Sequence, residues 1–193
     1  MTIGDTHKFA IESSITSAYA RRSFRALGFF LIHVGGYCYG IRKSDASMLA
    51  CSFDEIEDRI ARRGKHIAPF AATPEPNKIA EAFSDAVFVP SQEDKNFFGI
   101  SHGEFLNLIY TNHIILAPDG DQAFDDGSFV LHFDIGDRVR LIAFKRGLSG
   151  QYDFCNLSCV WLAADDFYQI LKQWRDAFES EWAAKPKVQD GNQ

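Results

Sequence analysis

The run Gly99-Ile100-Ser101-His102-Gly103 has the spacing of a nucleophile elbow, in which a serine on a strained strand-to-helix turn attacks an acyl carbon. That chemistry needs a buried strand before the serine and a helix after it. Here only Phe97 and Phe98 precede the motif, behind the polar stretch Ser91 to Asn96. Glu104 follows Ser101 by three residues, the spacing of a capping box, so Ser101 is expected to be a helix cap rather than a nucleophile. A second cluster, Asp119-Gly120-Asp121 with Asp125-Asp126, has the look of a calcium loop. Counted from Asp119, however, the fifth position is Ala123, the obligatory glycine is Phe124 and the twelfth residue is Val130. This is not an EF-hand. It reads as an acidic loop with an aromatic in its middle, and exposed aromatics among charges often anchor protein interfaces. Asp119, Asp121, Phe124, Asp125 and Asp126 are therefore the candidate residues for contact with a protein partner.

No other constellation carries chemistry. The six histidines, His7, His33, His66, His102, His113 and His132, show neither HExxH nor paired ligand spacing, and His33 and His132 fall on expected strands. The cysteines Cys38, Cys51, Cys155 and Cys159 form no CxxC pair. They read as reduced, mostly buried thiols, with Cys155 and Cys159 spaced to share a strand face. A Walker loop and a dinucleotide fingerprint are both absent. The reading is of no catalytic set, no metal site and no cofactor.

A chain of 193 residues is the size of one domain. Its 18 Phe, spread along the sequence, point to a large aromatic core. The longest apolar run, Leu27 to Val34, is far short of a membrane span, and the N-terminus lacks the segments of a secretory signal, so a cytoplasmic location is expected. Net charge is −6, unevenly placed. Met1 to Lys65 holds ten Lys/Arg against seven Asp/Glu, and the remainder ten against nineteen. Nucleic-acid binding calls for a basic surface, which most of this chain lacks. An acidic face suits either simple solubility or a basic protein partner guided in by the field.

The elements that would hold these residues follow from periodicity. Phe129, Leu131, Phe133 and Ile135 alternate with Val130, His132 and Asp134, which predicts a strand with one buried face. Gly136-Asp137 supplies a type II′ turn, and Val139, Leu141 and Ala143 alternate on the way back. Lys8 to Ile15 and Ala26 to Tyr39 predict an opening strand pair. Ser52 with Glu55 predicts a capped helix carrying Phe53, Ile56 and Ile60, ending at Gly64. Shorter helices are expected from Asn77 to Asp85 and after Ser101, and short strands at Ile114 to Ala117 and Phe154 to Leu162. A last helix opens at Asp165 with Phe167, Ile170, Leu171, Trp174, Phe178 and Trp182 on one side, Trp182 being open to a partner. Ala183 to Gln193 has little to bury and is expected to fray. The fold class is thus α+β: a single domain over residues 1–182, mainly antiparallel sheet with packed helices, then a tail over 183–193.

The order of these segments resembles a known family. HKFAIE, GFFLIHVGG, SFDEIEDRIARRG, FDDGSFVLHFDIGDRVRLIAFK and VWLAADDFYQILKQW are similar to segments of the immunity proteins of bacterial polymorphic toxin systems, in the group numbered forty-two. The resemblance spans most of Lys8 to Trp182 as ordered short motifs without a catalytic signature. It implies a cytoplasmic, non-enzymatic α+β protein that neutralises the toxin domain encoded beside it, and it assigns no binding residue. A toxin with a basic, nuclease-like active site could be occupied by an acidic phosphate mimic. The alternatives are a regulatory domain binding another protein or a ligand and, last, a serine hydrolase built on Ser101.

Overall fold

The alternation in the first forty residues becomes an antiparallel meander of β1 (Thr2–Asp5), β2 (Phe9–Tyr19), β3 (Ala26–Val34) and β4 (Tyr37–Tyr39). β5 (Ser47–Met48) pairs with β3 beyond β4. These coordinates come from a computed structural model describing residues 1–89, 94–118, 122–147 and 154–188, apart from the Cys155 side chain. The chain continues through α1 (Leu49–Ala61), α2 (Pro76–Phe88), a small ladder of β6 (Asn96–Phe97) with β7 (Ile100–Ser101), and α3 (His102–Thr111). β8 (Ile115–Ala117), β9 (Ser128–Ile135), β10 (Arg138–Arg146) and β11 (Phe154–Ala163) then build a second antiparallel sheet, followed by α4 (Ala164–Ala184) and β12 (Lys187–Val188). Arg138 pairs with Ile135 across a two-residue turn in which Gly136 takes φ 60. A first central residue with positive φ is what a type II′ turn demands. The protein is α+β with mainly antiparallel sheets.

Two cores lie on opposite faces of the four-stranded sheet. Val130, Val139, Leu141 and Ala143 point into the first, facing Phe9, Ile11, Phe30 and Ile32 of the six-stranded sheet. α1 and α4 complete it with Phe53, Phe167, Trp174 and Phe178. Leu131, Phe133, Ile142 and Phe144 point into the second, where α2 brings Ile79 and Phe83 and α3 brings Phe105 and Ile109. The expectation that the Phe129–Ile135 strand buries only one face is therefore wrong. His132 and Asp134, on what looked like its solvent side, are buried because α4 and α1 close over them.

Two other expectations change for physical reasons. α1 begins at Leu49, so Ser52 lies buried in its first turn, its Oγ 3.4 Å from the Ser47 Oγ, and is not a cap. Burying Leu49 on the same side as Phe53 and Ile56 extends the apolar stripe by a turn, and that gain outweighs the capping box. Glu55 binds Arg59 instead. The C-terminal segment does not fray at Ala183: α4 runs to Ala184, and Lys187–Val188 pair in parallel with Ala18 and Tyr19 of β2. Residues 189–193 lie outside the described residues.

Candidate functional site

Ser101 sits at the N-cap of α3. Its Oγ accepts from the Glu104 N–H at 3.4 Å, and Glu104 Oε2 accepts from the Ser101 N–H at 3.2 Å and hydroxyl at 2.9 Å. The strand that ends on it, Ile100–Ser101, is two residues long and pairs with Asn96–Phe97, so no long buried strand leads into the serine. His102 Nε2 donates to the Ala86 carbonyl at 2.9 Å and does not serve the hydroxyl. The geometry is a capping box, as the Ser101–Glu104 spacing predicts.

The densest polar constellation is one that the sequence reading missed. Arg59, 0% exposed, donates from Nη1 to His132 Nδ1 at 2.9 Å and to the His113 carbonyl at 3.0 Å. From Nη2 it donates to Glu55 at 2.6 Å and the Ile115 carbonyl at 2.7 Å. An Nδ1 that accepts leaves the His132 proton on Nε2, which lies 3.3 Å from Asp134 Oδ1 without the alignment of a hydrogen bond. Asp134 accepts from the Gly64 and His66 N–H groups at 2.8 and 3.2 Å and from the Tyr168 hydroxyl at 3.0 Å. His66 donates from Nδ1 to the carbonyls of Asn112 and His113 at 2.9 and 3.0 Å.

Burial lowers the His132 pKa to about 3, with the Arg59 charge adding to it against the pull of Asp134. Burial likewise lowers His66, helped by Arg59. Burial alone would raise the Asp134 carboxyl, but His132 and the His66 N–H outweigh it and hold it at about 2. Tyr168 is pushed up by burial beside that carboxylate. A Tyr–Asp–His–Arg chain could relay protons, but Arg59 and His132 expose no surface to a substrate. Its members bind one another through all their buried polar atoms but His132 Nε2, and tie α1, the turn after it, the end of α3, β8, β9 and α4 together. The available signal was His132-x-Asp134 between apolar strand residues, which is as compatible with an internal network as with a wet face.

The acidic loop is only partly as expected. Asp119 and Asp121 lie outside the described residues. Phe124 is no exposed anchor: it is 3% exposed, in a short 3-10 turn over Gln122–Phe124, with its ring edge-on to Phe30 at 6.2 Å. The loop is drawn down because the Ile41 N–H donates to the Ala123 carbonyl at 2.7 Å, placing the next side chain in the first core. Asp126 is half-buried, bound to Lys145 at 2.6 Å and capping the Ser128 N–H at 3.1 Å. Asp125 is exposed and has no side-chain partner among the described residues. Beside it opens a concavity of about 420 Å³ lined by Phe88, Pro118, Phe129 and Arg146.

Trp182, expected to be open to a partner, instead donates from Nε1 to the carbonyls of Tyr19 and Arg25 at 3.1 and 2.9 Å. His33 and Glu12 meet at 3.0 Å on the outer face of the six-stranded sheet, and Arg42 reaches the same carboxylate. No disulfide joins Cys38, Cys51 or Cys159, and the Cys155 side chain lies outside the described residues. Among the described residues, no cluster of three or more His, Cys, Asp or Glu is placed to hold a metal ion, and no helix is long and apolar enough to cross a membrane.

Comparison with known proteins agrees with the segment order seen in the sequence. The crystal structure of CdiI from Burkholderia dolosa AUO158 has a similar fold, with a TM-score of 0.58 at 16% identity, over 92% of this chain and 99% of that one. No curated protein matches the chain. The family model described as immunity protein 42 matches residues 1–177, a span that takes in the four-stranded sheet, the six-stranded sheet apart from β12, the buried Arg59–Asp134 network and most of α4. On that match the chain belongs to the immunity protein 42 family.

Proposed function

We propose that this protein binds a cognate bacterial toxin domain, of a contact-dependent or other polymorphic toxin system, and neutralises it without catalysing a reaction. The family match over residues 1–177 carries the reading. The site geometry supports it: Ser101 is engaged as a cap, and the Arg59–His132 pair at the heart of the buried polar network exposes nothing to a substrate. The toxin is encoded beside this chain, meets it in the cytoplasm and presents a basic, nuclease-like surface. The carboxylates of Asp119, Asp121, Asp125 and Asp126 draw the toxin in by their charge, while Phe124 is buried in the first core. Two measurements test this. Co-expression with the neighbouring toxin domain is expected to restore growth, and titration of the purified pair is expected to abolish toxin activity at one equivalent. Absence of both protection and complex would refute the binding. Inactivation at well below one equivalent would refute the non-catalytic mechanism.

A further inference from the structure

Four elements converge on the concavity beside Asp125. Phe88 comes from the end of α2, Phe129 from the start of β9, Arg146 from the end of β10, and Pro118 from the exit of β8. The floor is rigid. Phe129 stacks on Phe144 at 5.6 Å and packs against Phe83 and Phe88 at 5.4 and 5.5 Å. The rim is fixed as well. The Arg146 N–H donates to the Gly127 carbonyl at 2.8 Å, and Gly127, at φ 79, lies so close that a Cβ there would meet the Arg146 carbonyl at 2.5 Å. Asp125 is therefore held two residues from a backbone clamp.

The walls carry two charges of opposite sign that do not satisfy each other. The neighbouring cation, Lys145, is taken by Asp126 at 2.6 Å. Arg146 lies with its guanidinium 4.1 Å from the Phe88 ring centroid and has no carboxylate partner among the described residues. Asp125 likewise has none. A hollow with an aromatic floor and two opposite charges that pair with no described residue is complementary to a segment bearing both signs. It is poorly complementary to a surface of one sign only.

We propose that this concavity receives a segment of the cognate toxin domain in which an acidic and a basic side chain flank an apolar one. The carboxylate pairs with Arg146, the cation with Asp125, and the apolar side chain covers Phe88 and Phe129. The proposal rests on the immunity reading above and narrows it: at close range the interface is mixed in charge, not a phosphate mimic. The two views differ in what Arg146 does. In a purely acidic interface Arg146 opposes a basic toxin, and its removal would tighten binding. In the mixed interface its removal weakens binding.

The decisive experiment measures association and dissociation of the purified neighbouring toxin domain with the wild type, Asp125→Asn and Arg146→Gln at one salt concentration. Thermal melting of each variant is followed alongside. Each substitution is expected to weaken the complex by about tenfold or more, mainly through faster dissociation. Tighter binding by Arg146→Gln, or unchanged affinity of both variants, would overturn the proposal while leaving a wild-type complex and the immunity reading intact. Failure of the wild type to bind would remove both. Should Arg146→Gln melt early, Arg146→Met, which keeps an apolar stem over Phe88 and removes the charge, takes its place with the same two outcomes.

Discussion

Arg59 donates from one buried guanidinium to Glu55, His132 and the carbonyls of His113 and Ile115, so segments distant in sequence meet at a single side chain. Burying a charge without such partners would cost several kcal/mol, roughly what breaking a buried pair costs. The arrangement holds only while His132 is neutral, because its Nδ1 must accept from Arg59. In the unfolded chain a histidine takes up its proton near pH 6.5, whereas folded His132 does so only at about 3. Below pH 6.5 the unfolded state thus binds more protons, and stability falls as pH is lowered towards 3. His66, shifted in the same direction, adds to the loss, and Asp134 adds its own between 3.8 and about 2. Urea-denaturation midpoints measured from pH 7.5 to 4.5 are expected to decline steadily below about 6.5. A flat profile over that range would show that the network does not couple to folding.

At the scale of single elements, α3 is the helix whose start was written in its sequence. Ser101→Ala should cost about 1 kcal/mol in denaturant unfolding, and leave toxin protection intact at permissive temperature. Stoichiometric labelling of Ser101 by a fluorophosphonate would contradict that assignment. The Ser101 cap, the Gly136-Asp137 hairpin and the apolar stripe of α4 were legible because their signals are local, a few residues apart. The start of α1 was misread because Leu49 is buried by distant elements, and a capping motif three residues later cannot report on that. Phe124 was misread for the same reason: among aspartates it resembles a surface anchor, and only its neighbour's bond to Ile41 shows otherwise. In the candidate site, Asp125 was visible as one of a cluster. Phe88 and Arg146 were not, because they reach the hollow from α2 and β10.

For the whole molecule, the excess negative charge lies in residues 66–193, the part that carries the acidic loop. If this field guides a basic toxin, association should slow as salt rises, since exposed charges are screened over roughly 8 Å at physiological ionic strength. Replacing Asp119, Asp121, Asp125 and Asp126 together by Asn is expected to slow association and flatten that salt dependence. Association and dissociation rates indistinguishable from wild type at low and high salt would take the loop out of the interface.

The six-stranded sheet is laid down by residues 2–48, apart from its last strand, yet much of its apolar face is covered by α4, with Trp174 meeting Phe30 at 5.1 Å. A ribosome adding about 5–20 residues per second needs on the order of ten to thirty seconds to pass from one of these partners to the other. During that interval Phe9, Ile11, Phe30 and Ile32 lack their final cover, and exposed apolar surface of that kind is prone to aggregate. β12 closes beside β2 later still. Completion of the first core therefore waits for the α4 residues Phe167, Trp174 and Phe178, far along the chain from the strands they cover.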